Sequence, residues 1–322
     1  MSARRALITG ISGQDGSYLA ELLCAEGLEV HGTVRVQADA AAVNLDGVRD
    51  AIHLHPGDLI VSGTLRAIVA EVAPDEVYHL AAPAFVPHSW SVLADTLRGI
   101  STVSAELIDA VRDLVPGART VLATSREIFG PNAPSPQSEA TPCVPASPYG
   151  VAKLAVHNLT RVVREHDGLH LSSAILFNHE SPRRQLHFIT RKVTAAAAAI
   201  SLGRQQELVV GDTSAVRDWS HARDIVAGMR LMAAAGEGGD YVLASGVGHT
   251  VAELIELAFG HVGLDPAEYV RVDPALVRDP EPEPAVGDPA RALERLGWSA
   301  QIGFDALVAE MVDADLAALS TA

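Results

Sequence analysis

Apolar runs of strand length recur through the first half of the chain, at residues 6–9, 30–34, 52–55, 77–81, 120–123 and 174–177, with segments of helical spacing between them. That alternation predicts a parallel sheet covered by helices on both faces. Between the first two runs, Leu19, Leu22 and Leu23 recur at helical spacing and Gly27 offers a stop, which completes a βαβ unit. The expected fold class is α/β, a Rossmann-type doubly wound parallel sheet with a smaller α/β lobe. No repeat or low-complexity linker divides the chain, and the Pro-rich stretches at 131–148 and 274–289 read as long functional loops. The two lobes are expected to interleave: residues 1–177 plus about 209–240 in the first, about 178–208 plus 241–322 in the second.

Thr9-Gly10-Ile11-Ser12-Gly13-Gln14-Asp15-Gly16 falls between the first strand and the first helix, the context a dinucleotide fingerprint needs. Gly10 permits the tight turn, Gly13 lets the backbone approach a pyrophosphate, Gly16 lets the helix pack close, and the helix N-terminus adds partial positive charge. Ser12, Gln14 and Asp15 belong to the same expected cofactor loop. An NAD enzyme offers Asp or Glu to the ribose at the end of the second strand; here the chain reads Gly32-Thr33-Val34-Arg35. A cation without a carboxylate favours a 2′-phosphate, so the expected cofactor is NADP. Asp58 and Leu59, after the third strand, are placed to meet the adenine edge, and Leu80 and Ala82, after the fourth, to line the cofactor.

Charge restricts the partners. Among 322 residues, 24 Lys and Arg oppose 40 Asp and Glu, a formal charge of −16 that repels nucleic acid and anionic membrane; neither is an expected partner. A polyanionic ligand would need a local cluster of cations. Cys24 and Cys143 are too few and too far apart for a disulfide framework or a Cys-based metal site, which fits a reducing compartment. Residues 1–10 run straight into a strand and the glycine loop, leaving no room for a signal peptide, and no apolar run is long enough to span a bilayer; a cytoplasmic location is expected. The 13 histidines show no compact ligand spacing, so no metal is expected; His53 and His55 read as half-buried strand residues.

Tyr149 and Lys153 stand four apart behind Ser147-Pro148, where Ser can cap and Pro can open a helix, so both side chains share one face. A neighbouring ammonium favours phenolate, which predicts a Tyr149 of lowered pKa able to take an alcohol proton as hydride leaves. Upstream, the fifth run ends in Thr124-Ser125-Arg126-Glu127 at the strand end that faces the ligand crevice in such sheets. Ser125 can hydrogen-bond the same hydroxyl, and Glu127 is a candidate base. Ser125, Glu127, Tyr149 and Lys153 are the expected catalytic set.

The chain resembles the GDP-mannose 4,6-dehydratases. The resemblance rests on residues 6–10 and 16–23, on 147–154, on Ile175-Leu176-Phe177-Asn178-His179-Glu180-Ser181-Pro182-Arg183-Arg184, and on Arg217-Asp218-Trp219 with His221-Ala222. It implies cofactor and interface contacts at His179 and Arg184, and GDP-sugar contacts at Asn178, Lys192, Arg217, Arg278 and Glu281, the local cations that the net charge demands. It also implies a homodimer or homotetramer. The implied reaction is transient oxidation of the sugar at C4, loss of water across C5 and C6, and re-reduction, giving a 4-keto-6-deoxy sugar with NADP regenerated. Two departures bear on the sugar pocket. The family's Leu-Ala-Ala-Gln-Ser-His-Val is here Leu80-Ala81-Ala82-Pro83-Ala84-Phe85-Val86, and its Thr-Ser-Glu is Ser125-Arg126-Glu127, which puts Arg126 among the expected substrate contacts. They leave open an epimerase that inverts C5, or C6 of a longer sugar such as an octose, by elimination and re-addition. From another class, a non-catalytic NADP-binding regulator is the third reading.

Overall fold

Each of the six apolar runs forms a strand. In β1, β4, β5 and β6 almost every residue is buried, as expected where helices cover both faces. The computed structural model describes residues 3–35, 43–276 and 284–320. In chain order the elements are β1 (Arg5–Thr9), α1 (Gln14–Ala25), β2 (Glu29–Val34), β3 (Ile52–Pro56), α2 (Thr64–Val72), β4 (Glu76–His79), α3 (Leu93–Leu97), α4 (Val103–Leu114), β5 (Arg119–Ala123), α5 (Pro148–Asp167) and β6 (Leu171–Leu176). There follow β7 (Asn178–Glu180), α6 (Ile189–Ser201), β8 (Leu208–Val210), β9 (Val216–His221), α7 (Ala222–Ala234), β10 (Asp240–Leu243), β11 (Gly248–Thr250), α8 (Val251–His261), α9 (Pro266–Tyr269), β12 (Val270–Val272), α10 (Ala290–Leu296) and α11 (Phe304–Ser320).

Seven strands, all parallel, form the main sheet in the order β10-β6-β5-β4-β1-β2-β3. This is a Rossmann-type doubly wound sheet. The order reverses at β1 and β4, and the crevice outside their C-terminal ends is where such sheets bind ligands. One apolar cluster joins α1 and α7 to one face through Leu19, Leu23, Ile225 and Met229. Another packs α2 and α4 on the other face through Leu65, Val69, Leu107 and Val111.

The smaller lobe packs α6, α8 and α11 around Val193, Leu254, Phe259, Leu307 and Met311, with the Trp219 ring stacked on Phe304 at 5.4 Å. It carries a three-stranded sheet, β11-β9-β7, and a pair, β12-β8. The interleaving is finer than the expected boundaries. Strand β9, expected in the first lobe, joins the small sheet, whereas β10, most of it expected in the second, pairs with β6 in the main sheet, where α10 also packs.

Candidate active site

Local chemistry at the ends of β1, β2 and β4 builds the glycine cradle. Thr9 Oγ1 accepts from the N–H groups of Leu80 and Ala81, each at 3.1 Å, and donates to His79 Nδ1 at 2.8 Å. The His79 imidazole also meets Ser104 Oγ at 3.0 Å; burial, helped by the charge of Lys153, pushes it down to about 3 and keeps it neutral. Gly10 turns at φ +72°, which a side chain rarely tolerates. A Cβ on Gly16 would stand 2.4 Å from the Gly10 carbonyl oxygen, so helix α1 can begin here only with glycine. The helix opens at Gly13 without any side-chain cap. An uncapped helix start beside a loop with no room for side chains fits the pyrophosphate of a nicotinamide dinucleotide. Arg35 is exposed just past β2, Asp58 is exposed past β3, and Leu59 packs against the α2/α4 cluster. Leu80 and Ala82 are half-buried.

The 178–184 segment stitches itself to this cradle across more than half the sequence. His179 Nε2 lies 2.9 Å from Asp15 Oδ2, Gln14 Nε2 donates to the His179 carbonyl at 3.1 Å, and Ser181 Oγ donates to Gln14 Oε1 at 2.8 Å. Burial alone would lower His179, but the Asp15 charge and hydrogen bond override it and its pKa is raised. Asp15 shows the converse: burial pushes it up, and His179, Gln14 and Arg184 outweigh that and pull it down. Arg183 lies over the Tyr18 ring and pairs with Glu21, whereas Arg184 pairs with Glu180 at 3.0 Å over Phe188.

The sign of the linkage follows. The raised His179 contributes stability in full below its ordinary value of 6.5, and this is lost as pH rises through its folded value. The lowered Asp15 contributes above 3.8, and this is lost as pH falls through its folded value. His179→Gln is expected to destabilise by about 1–3 kcal/mol in the window between those ordinary values. Melting temperatures measured against pH should show the gap from wild type closing on the alkaline side; a gap independent of pH would contradict the assignment.

The catalytic candidates converge at the ends of β5 and α5. Ser147 caps α5, its Oγ accepting the Gly150 N–H at 3.0 Å with Pro148 in the first turn, and this sets Tyr149 and Lys153 on one buried face. Ser125, Glu127, Arg184 and Asp15 all lie close enough to Tyr149 to influence its charge. Ser125 Oγ also accepts the Glu127 N–H at 3.3 Å, capping a single 3₁₀ turn over Arg126–Ile128 that presents the carboxylate.

One expectation is corrected. Tyr149 is not lowered in this protein; burial pushes it up to about 12, the Glu127 charge adds to that, and the Ser125 hydroxyl only partly opposes it. Lys153 Nζ donates to the Ala123 carbonyl at 2.8 Å and stands 5.8 Å from the Tyr149 ring centre. Burial lowers its own pKa to about 8, against the pull of Asp15.

Arg126 is buried instead of reaching out as an arm. It lies 3.2 Å from Glu127 Oε1, with the Gly130 carbonyl 3.5 Å away, the environment that a desolvated guanidinium requires. Phe85 packs edge-on against His187 at 4.6 Å, an aromatic contact at one of the positions where the chain departs from the family's polar residues. Lys192 is exposed with Nζ on the Val209 carbonyl at 2.6 Å; Asn178 opens β7, paired with Trp219; Arg217 Nη1 donates to the Val216 carbonyl at 2.9 Å. Arg278 and Glu281 lie outside the described residues. Asp218, within the Arg217-Asp218-Trp219 motif, is buried and accepts the N–H groups of Ser245, Gly246 and Gly287, pinning the segments that flank the small sheet.

A doubly wound parallel sheet, a glycine cradle at its switch point and a Ser, Tyr and Lys set at the neighbouring strand end define a short-chain dehydrogenase/reductase of the extended type. Within that class the chain belongs to the GDP-mannose 4,6-dehydratase family, whose sequence profile, described as GDP-mannose 4,6 dehydratase, matches residues 7–311. It is 42% identical to GDP-mannose 4,6 dehydratase 2 of Arabidopsis thaliana over 97% of this chain and 86% of that one. It is 39% identical to GDP-mannose 4,6-dehydratase of Sinorhizobium fredii over 98% and 97%. The RMD protein of Pseudomonas aeruginosa, solved with NADPH, shares the fold at a TM-score of 0.83, with 23% identity over 98% of this chain and 100% of that one. No helix among the described residues is long and apolar enough to cross a membrane.

Proposed function

We propose that the protein is a 4,6-dehydratase acting on a GDP-hexose, GDP-mannose first, with NADP as its retained cofactor. The observation that carries this is the convergence of Ser125, Glu127, Tyr149 and Lys153 beside the glycine cradle. When bound, the oxidised nicotinamide supplies a hydride acceptor for C4, a positive charge that favours phenolate, and a source from which the hydride returns to C6. Tyr149 takes the proton of the C4 hydroxyl, which Ser125 orients. The C4 carbonyl acidifies C5; Glu127 removes that proton and passes it to the C6 hydroxyl, which departs as water, and as hydride returns to C6 the proton held by Tyr149 goes to C5. Arg126 fixes one oxygen of Glu127 and so acts as a positioning residue. Product mass spectra test the reading: GDP-mannose should lose the mass of one water.

The aromatic Phe85 contact favours a second outcome, epimerisation, for which mass would stay unchanged while retention shifts. For NADP over NAD the supporting residue is Arg35, exposed at the end of β2. Arg35→Ala should weaken NADP binding about 10- to 100-fold, the value of one charge-assisted contact, and leave NAD binding little changed; equal losses for both would contradict it. A homodimer or homotetramer remains part of the proposal, supported by the exposed Trp90, Leu93 and Leu97 beside α5.

A further inference from the structure

At the far edge of the main sheet, away from the catalytic set, parallel register gathers three histidines that the sequence keeps 22 and 24 residues apart. His31 on β2 is paired with His53 on the edge strand β3, and Thr33 with His55, so the three imidazoles lie on one face. The rings of His31 and His53 stack at 4.8 Å, and those of His31 and His55 lie 5.2 Å apart. Glu29, two residues before His31, shares that face, its Oε1 at 3.0 Å from His31 Nε2. On the other side of the ring, His31 Nδ1 meets His55 Nε2 at 3.0 Å, and His55 Nδ1 stands 3.8 Å from Glu71 of α2. His31, His53, His55 and Glu71 line a cavity of about 590 Å³.

We propose that Glu29, His31 and His53 bind a divalent cation of the Zn²⁺ type, with His55 and Glu71 orienting His31 from behind. One ligand atom of each of the three lies within 4.8 Å of the others. A tetrahedral ion with bonds of about 2.0–2.2 Å needs its ligands about 3.4 Å apart, so the widest separation, 4.8 Å, must close by about 1.4 Å, which rotation of the half-buried Glu29 and exposed His53 side chains supplies. Two imidazoles and one carboxylate suit a borderline cation and leave positions open for water. The proton inventory balances. With the ion on Nε2, the His31 hydrogen moves to Nδ1 and is donated to His55 Nε2, while the His55 hydrogen moves to Nδ1 and faces Glu71. Both rings stay neutral, and a carboxylate–histidine relay of the kind that orients metal ligands stands behind His31. Such an ion would tie the edge strand β3 to β2.

Tag-free protein stripped with EDTA and titrated with Co²⁺, then with Zn²⁺ as competitor, tests the site. One Co²⁺ per chain should give a visible d–d band that Zn²⁺ displaces, and saturation should raise the melting temperature. Glu29→Gln, at a half-buried position, and His53→Gln, at an exposed one, should each abolish the band while leaving the metal-free circular dichroism unchanged. His55→Gln should weaken binding about 10- to 100-fold. Absence of a band in the wild type, or a band that survives both Glu29→Gln and His53→Gln, overturns the proposal. Neither result bears on the nucleotide-sugar chemistry, which lies at other residues.

Discussion

Tyr149→Phe is expected to lower kcat by about 10³-fold or more on GDP-mannose, within the range that general acid–base groups supply. The phenol oxygen is the only atom removed, and Phe fills the same space. The stability cost is then at most that of one hydrogen bond, about 1 kcal/mol, so thermal unfolding separates lost chemistry from lost fold. The raised pKa of Tyr149 sharpens the expectation. A phenol held near 12 by burial is a poor base by itself, and each positive charge brought to the site counts towards its ionisation. Lys153 is such a charge, and it is lowered to about 8, so its ammonium form is lost as pH rises through that value. The wild-type kcat/KM should therefore decline above pH about 8, and Lys153→Arg, which stays charged, should move that decline upward while lowering kcat. A Tyr149→Phe enzyme retaining a tenth or more of wild-type turnover would remove Tyr149 from the mechanism.

Sequence disclosed the parts of this molecule whose signal is local. Strands β1 to β6 each hold a short apolar run, the glycine loop is one stretch of eight residues, and the cap of α5 is a Ser-Pro dipeptide, so each could be placed within two residues except β6, which begins three residues before the expected run. What escaped depends on register or on distance. The four residues of β10 carry no pattern strong enough to assign them to a sheet whose previous strand ended at Leu176. The Asp15–His179 contact spans 164 positions and was legible only as a resemblance to a family segment. Arg126 is visible in the sequence as a residue out of place, but its burial against Glu127 depends on a single 3₁₀ turn capped by Ser125, a geometry that no local pattern encodes. The pKa expectation for Tyr149 failed for a related reason: spacing fixes which residues share a helix face, whereas desolvation depends on everything packed around that face. The histidine row at the sheet edge escaped for the same cause, since parallel pairing of β2 and β3 is not written in either strand alone.

Replacing Glu127 by Gln should divide the reaction at its second half. The amide keeps the size of the carboxylate and can still face Arg126, but it cannot take a proton. Formation of the 4-keto-6-deoxy product should fall by about 10²- to 10⁴-fold. Deuterium from D₂O should enter C5 in the wild type and stay out in the variant, because exchange there needs a base of its own. Oxidation at C4 depends on Tyr149 and Ser125 and should persist, so the variant keeps its affinity for GDP-mannose and loses kcat with KM little changed. The same experiment separates the two outcomes considered for the pocket. Should wild-type protein return an isomer that has gained only the C5 deuterium and lost no water, the pocket has redirected elimination into re-addition with Glu127 still serving as the base. A Glu127→Gln enzyme with wild-type turnover would show that the proton at C5 leaves to some other group.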